Sequence, residues 1–277
     1  MTGSGTASGR TASSRVHGRA PLGLGVVAAV AVVFLVTPVL AVVIRAPWST
    51  LIDDLTSQDA RDALRVSLVT TLMAALLCVL FGVPLAWVLA RTAFRGRSLV
   101  RALVTLPLVL PPVVGGIALL LAFGRNGVLG RPIDQIFGIT IPYTTPAVVM
   151  AQTFVALPFL VISVEGAFRG SDVRYDDAAA TLGASRWWTF RHVTLPLATP
   201  GIIAGAVLSW ARALGEFGAT VTFAGSFPGT TRTIPTQIYV TRSAEGGGAT
   251  ALSLLLIVVS VLVLTVLRER WLSGVRP

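Results

Sequence analysis

The sequence contains no lysine: all 22 of its basic residues are arginine. A Walker A loop needs a lysine against the nucleotide phosphates and Schiff-base chemistry needs a lysine amine, so both are excluded. If a nucleotide drives this protein, another subunit binds it. Cysteine is nearly absent too. The single Cys78 lies inside an apolar block, so no intrachain disulfide can form and the residue reads as a small buried hydrophobe. The two histidines, His17 and His192, stand far apart without metal-ligand spacing, and no metal or cofactor is expected. Charge is scarce, at 12% of residues against 54% hydrophobic. A soluble chain of 277 residues would need far more charge to cover its surface. The net charge of +10 does not point to nucleic acid, because the arginines flank apolar blocks rather than gathering on one soluble face.

What the chain has in abundance is long apolar runs, each near the roughly 20 residues a helix needs to cross the hydrocarbon core. Residues 1–20 are rich in Gly, Ser, Thr and Ala and carry Arg10, Arg15 and Arg19, the composition of a flexible tail. Pro21–Ile44 is uncharged, longer than a signal-peptide core and followed by no clear small-residue cleavage site, so it reads as a first membrane helix. Further blocks are Val66–Ala90, Ala102–Phe123, Thr144–Val164, Leu197–Ala224 and Ala249–Leu267. Prolines 107, 111 and 112 inside the third predict a kink or local unwinding. The expectation is an all-α polytopic membrane protein, with residues 21–277 forming one domain of six transmembrane helices.

Six spans put both termini on one side, and the arginines say which. With the N-terminus in the cytoplasm, fourteen arginines fall on that face: three in the tail, Arg91, Arg95, Arg97 and Arg101, four in the 165–196 connection and three after the last helix. Seven fall outside, and Arg212 is left within the fifth block. That asymmetry places both termini in the cytoplasm. Asp53, Asp54, Asp59 and Asp62 in the first outer loop read as a solvated acidic face.

The connection 165–196 is patterned beyond the needs of a tether. Asp172 can cap a short helix whose start carries Asp176 and Asp177, where carboxylates favour the positive helix end. Ala178, Ala179 and Ala180 follow, and Gly183 supplies a chain reversal. Ser185 can cap a second helix bearing Trp187, Trp188 and Phe190, expected to end before Pro196. Such aromatics are costly in water, so the hairpin should dock into a partner or fold against the membrane helices.

These residues resemble a motif of the binding-protein-dependent ABC-transporter permeases: Glu-Ala-Ala, three residues, Gly, nine residues, Ile, any residue, Leu-Pro. Here the run is Asp177-Ala178-Ala179, three residues, Gly183, nine residues, Val193, Thr194, Leu195-Pro196, with every spacing kept and Asp and Val replacing Glu and Ile. The stretches Arg212 to Thr220 and Phe223 to Thr233 look like the molybdate branch of that family, whose near relatives carry sulfate. The resemblance implies a type I importer fold in a bacterial cytoplasmic (inner) membrane, and a cytoplasmic hairpin (Asp177, Ala178, Ala179, Gly183, Val193, Leu195, Pro196) that inserts into an ATP-binding subunit. It also implies two ATPase subunits inside, an oxyanion-binding protein outside, and two identical permease copies. The chain itself would perform no bond chemistry.

In the fifth block Arg212 and Glu216 are four residues apart and share a helix face, as a structural ion pair or as an element of a gate or pathway. Gly201, Gly205 and Ser209 form a small stripe for close helix approach, within one chain or across a dimer. The Gly/Pro/Thr-rich segment 225–235 either meets the binding protein or merely connects. Molybdate, tungstate and sulfate or thiosulfate remain open as substrates. An ion-coupled secondary transporter would leave the 165–196 hairpin unexplained and lacks paired discontinuous repeats. An intramembrane enzyme lacks a Ser–His pairing or a His/Asp/Glu constellation.

Overall fold

The computed structural model describes residues 22–172, 174–243 and 248–273. The expected tail 1–20 lies outside the described residues. The chain divides into two compact units, Met1–Ile44 and Arg45–Pro277. The described part of the first is one helix, α1 (Leu22–Ile44), apolar on every side as a helix surrounded by lipid is. Thr37, one residue before Pro38, returns its hydroxyl to the Val33 carbonyl.

Every regular element among the described residues of the second unit is a helix. A short α2 (Leu51–Thr56) leads into α3 (Gln58–Arg91), whose N-cap Ser57 accepts the Ala60 N–H. Then follow α4 (Arg97–Val109), α5 (Pro112–Phe123), α6 (Gly130–Phe137) and α7 (Thr145–Gly170), the last capped by the Thr144 hydroxyl. The hairpin arms are α8 (Arg174–Thr181) and α9 (Arg186–Thr189). A π-helical turn, Phe190–Thr194, runs into α10 (Leu195–Leu214), followed by α11 (Gly218–Ala224), α12 (Ile234–Ser243) and α13 (Gly248–Ser273). Four helical stretches are long and apolar enough to cross a membrane, Gly23–Ile44, Gln58–Arg91, Thr145–Gly170 and Arg186–Leu214, with α4 and α5 making a fifth if the pair counts as one span. The sixth expected block falls on α13, where Gly248–Val263 is a shorter apolar helix among the described residues.

Helices α3, α7 and α10 form the core. Ala74, Cys78, Ala86 and Leu89 of α3 pack with Ala156, Leu160, Val164 and Phe168 of α7 and with Ala198 and Ala213 of α10. Small residues set the spacing. Gly201 faces the Ala167 side chain so closely that a β-carbon there would overlap it, and Gly205 faces Ser163 and the Leu160 carbonyl. The Ser163 hydroxyl also donates to the Gly201 carbonyl at 3.1 Å. Two members of the small-residue stripe thus serve contact within one chain, α10 against α7. A second cluster joins α5, α7 and α11 through Leu119, Val148, Ala151, Ala219 and Phe223, and a third joins α3, α12 and α13 through Ala60, Ala63, Ile234 and Leu252.

Two apolar blocks and the second hairpin arm carry breaks or continuations that shape the fold. The third block carries the break that its prolines predict, and α4 and α5 meet there at 120°. Pro111 holds Leu110 in extended backbone, and Pro112 begins α5 where its missing N–H costs nothing. The fifth ends early at Leu214, and the chain breaks over Gly215–Phe217 before α11. The second hairpin arm does not end before Pro196 but continues into α10. In the π turn the Leu195 N–H reaches back five residues to the Phe190 carbonyl. That wider turn accommodates a proline, which has no N–H to give to the preceding turn.

Candidate functional site

The hairpin begins where α7 ends, at Gly170, so Glu165–Gly170 belongs to the long helix rather than to the connection. Asp172 accepts the Arg174 N–H at 3.0 Å and starts α8, with Asp176 and Asp177 in its first turn. The reversal is a Schellman arrangement. The Gly183 N–H bonds the Ala180 carbonyl and the Ala184 N–H bonds the Ala179 carbonyl, both at 3.0 Å, with Gly183 at φ +82°. Ser185 then caps the second arm through the Trp188 N–H at 3.2 Å. Between the arms lies an open groove of about 730 Å³, lined by Tyr175, Ala178, Ala179, Leu182, Trp188 and Val193 among others. The tip is apolar and exposed, Leu182 at 89% and Trp187 at 70%.

The structure brings the motif residues together without giving them one role. Asp177 and Ala178 are exposed, Ala179 is buried, and Val193 faces the groove. Leu195 packs on the membrane core, and Pro196 stands exposed in the first turn of α10. Asp176, read from sequence only as a helix-start carboxylate, is the one that is bonded. Its Oδ1 accepts the Thr194 hydroxyl at 2.9 Å, and its Oδ2 lies 3.7 Å from Nη2 of Arg91. Arg91 also donates to the Ser171 hydroxyl and carbonyl at 2.6 and 3.2 Å. Ring contacts continue the attachment: Trp87 meets Phe190 edge-on at 5.5 Å, and Trp187 stacks on Phe190 at 5.7 Å.

At the far end of α10, Arg212 and Glu216 form an ion pair at 2.6 Å, with the Glu216 side chain 1% exposed. They do not sit on one continuous helix, since Glu216 lies in the break after Leu214. Its second oxygen accepts the Ala219 N–H at 2.8 Å, so the carboxylate also satisfies the start of α11. Here α11 packs against α5 with almost no side chain between them. A β-carbon on Gly218 would meet Pro112 at 2.9 Å, and one on Gly116 would meet the Ala219 carbonyl oxygen at 2.9 Å.

Sequence reasoning passed over several polar residues. Buried Glu165 is bridged by Arg101 of α4 at 2.6 Å and Arg169 at 2.7 Å, and only the second contact, four residues away, had a local signal. Arg232 donates to the Ser226 hydroxyl and carbonyl and to Gln237, while the Phe227 N–H donates to the Thr231 hydroxyl. The segment 225–235 is therefore a compact, hydrogen-bonded structure. In the acidic cluster Asp54 accepts the Thr50 hydroxyl and Asp62 accepts the Gln58 amide, local bonds that suit a solvated face.

Residues 82–274 match the family described as binding-protein-dependent transport system inner membrane component. The molybdenum transport system permease protein ModB of Mycobacterium tuberculosis is 52% identical over 235 residues, 84% of this chain and 88% of that protein. The protein of the same name from Escherichia coli is 42% identical over 77% of this chain and 93% of its own length. Among solved structures, a bacterial alginate ABC transporter in complex with an alginate-bound periplasmic protein superposes with a TM-score of 0.68 at 19% identity, over 90% of this chain and 92% of that one. An inward-facing methionine ABC transporter gives 0.53 at 21% identity, over 76% and 91%. The fold is that of the type I ABC importer permeases. With the family's match spanning the end of α3, all of α7 and α10, the hairpin and the charged break, the chain belongs to the inner membrane components of binding-protein-dependent transport systems.

Proposed function

We propose that the chain is the permease subunit of an ATP-driven importer that passes molybdate, or a similar tetrahedral oxyanion, received from a soluble binding protein. The observation that carries the transport reading is the hairpin, an apolar exposed tip on a rigid root, at the spacing expected of an ATPase-docking element. The substrate is supported by relatives at 42–52% identity that are named for molybdenum transport. The arginine asymmetry supports placing the hairpin and both termini in the cytoplasm. Two ATPase subunits are the partners inside.

In this reading Asp177, Ala178 and Gly183 form the surface offered to the ATPase, while Val193, Leu195 and Pro196 join that surface to the membrane. Because the second arm runs unbroken into α10, displacement of the hairpin is displacement of that helix. Its 20 residues carry the movement about 30 Å to the Arg212–Glu216 break. There α11 can shift against α5, so the pair sits where a gate would act. The chain holds and moves helices, and ATP hydrolysis belongs to its partner.

The test is uptake of radiolabelled molybdate into proteoliposomes holding this chain and its ATPase, with the binding protein on the opposite face from ATP. Accumulation that needs all three proteins and ATP, and that excess sulfate does not displace, is the expected result. Uptake without the ATPase would overturn the transport reading, and preferential uptake of sulfate would overturn the substrate.

A further inference from the structure

The hairpin is covalently continuous with α7 on one side and α10 on the other. It has no chain connection to α3, the longest helix and the third member of the core. Displacement of the hairpin reaches α3 through the packed faces of α7 and α10 and through direct contacts with the hairpin, and the direct contacts gather at the last turns of that helix. Arg91 is its final residue, with a side chain only 12% exposed. Its guanidinium holds Ser171 at the α7 end of the hairpin and Asp176 on the first arm. Asp176 in turn holds Thr194, 2% exposed, where the second arm enters α10. One helical turn before Arg91, on the same side of α3, Trp87 meets Phe190 of that arm. A cavity of about 400 Å³ lies between these groups, walled by Trp87, Arg91, Asp176, Asp177, Arg186 and Phe190 among others.

The two adjacent carboxylates both border this cavity but differ in their bonds and exposure. Asp176 is bonded to its own membrane helices, whereas Asp177 stands exposed with no ion-pair partner among the described residues. Neighbouring positions on a helix face directions about 100° apart, so one carboxylate can grip inward while the next is offered outward.

We infer that Arg91 and Asp176 are positioning residues that tie α3 to the hairpin, so that α3, α7 and α10 move together when the hairpin is displaced. The inference rests on the proposed transport function for its consequence, but the tie itself can be measured independently. Loss of the tie should leave the outward face of the hairpin able to recruit the ATPase while less of its motion reaches the membrane helices.

The experiment uses the assembled complex with Asp176→Asn, Arg91→Gln, Arg91→Lys and, for comparison, Asp177→Asn. The first readout is amide hydrogen exchange. Asp176→Asn and Arg91→Gln should accelerate exchange in the last turn of α3 and in residues 171–182, and Asp177→Asn should not. The second is molybdate taken up per ATP hydrolysed in proteoliposomes. The first two variants should retain the ATPase subunit and its hydrolysis yet lose about fivefold or more of that ratio, the lower end of ordinary coupling free energies. Arg91→Lys, which keeps the charge, should recover part of it. Unchanged exchange in Asp176→Asn would overturn the tie, whatever the protein transports. Faster exchange with an unchanged ratio would remove its role in coupling, and loss of the ATPase subunit would make Asp176 a docking residue instead. If the wild-type complex takes up no molybdate, the transport reading fails and the role in coupling that rests on it falls too, while hydrogen exchange still decides the tie.

Discussion

At the scale of single residues, the buried Glu216 carboxylate has two bonds of different kinds, a guanidinium at 2.6 Å and a backbone N–H at 2.8 Å. Removing Arg212 leaves an unpaired charge in a low-dielectric setting, a loss of roughly 3–5 kcal/mol in buried pairs. Arg212→Ala should therefore lower the thermal unfolding midpoint of the detergent-solubilised protein. Glu216→Gln should be milder than Glu216→Ala, because the amide oxygen still accepts the Ala219 N–H while alanine leaves it orphaned. An exchange of the two residues should recover only part of the loss, since arginine at 216 has no acceptor for that N–H. A midpoint equal for Glu216→Gln and Glu216→Ala would remove the capping role. The four-residue spacing was enough to read the pair from sequence. The break that lets Glu216 cap α11 was not, because Gly215 and Phe217 look unremarkable within an apolar run. Arg91 and Glu165 were illegible for a related reason, as their main partners lie 80 and 64 positions away.

At the scale of elements, the hairpin was the most legible part, since alanines, a glycine and a Ser cap are local signals that survive tertiary packing. What was misread followed from a proline. Pro196 looked like a stop, yet a π turn carries the helix through it. Pro111 and Pro112 announced the break between α4 and α5, though not its angle of 120°. Apolar periodicity cannot separate a bent pair from one span when every face is hydrophobic. Gly183 offers a sharp test of the turn. At φ +82°, valine is strained by roughly 1–2 kcal/mol, whereas asparagine tolerates this left-handed region. Gly183→Val should lose most of the co-purifying ATPase and Gly183→Asn should retain it. Leu182→Glu, which places charge on the exposed tip without touching the turn, should also lose it. Retention of the ATPase by both Gly183→Val and Leu182→Glu would dismiss the hairpin as the docking element.

At the scale of the whole molecule, the described residues of one chain supply a single docking hairpin, whereas the proposed importer carries two ATPase subunits with a cleft each. A twofold pair of identical permeases presents two hairpins related as the clefts are, and symmetric closed dimers are the commonest assembly of identical chains. Surface composition is compatible with such a contact. On α3, Leu68, Leu72, Leu76 and Leu80 recur at four-residue spacing and are all exposed, a stripe suited to lipid or to a second membrane helix. Substrate and stoichiometry are linked, because the resemblance to the molybdate branch implies both the oxyanion and the identical pair. The discriminating measurement is co-expression of one tagged and one untagged copy of this chain with the ATPase, followed by affinity purification and native mass spectrometry. Recovery of the untagged copy, in a complex of two permeases and two ATPase subunits, is the expected outcome. A complex holding one copy of this chain beside a different permease would refute the identical pair and weaken the molybdate reading with it, since both rest on the same branch of the family.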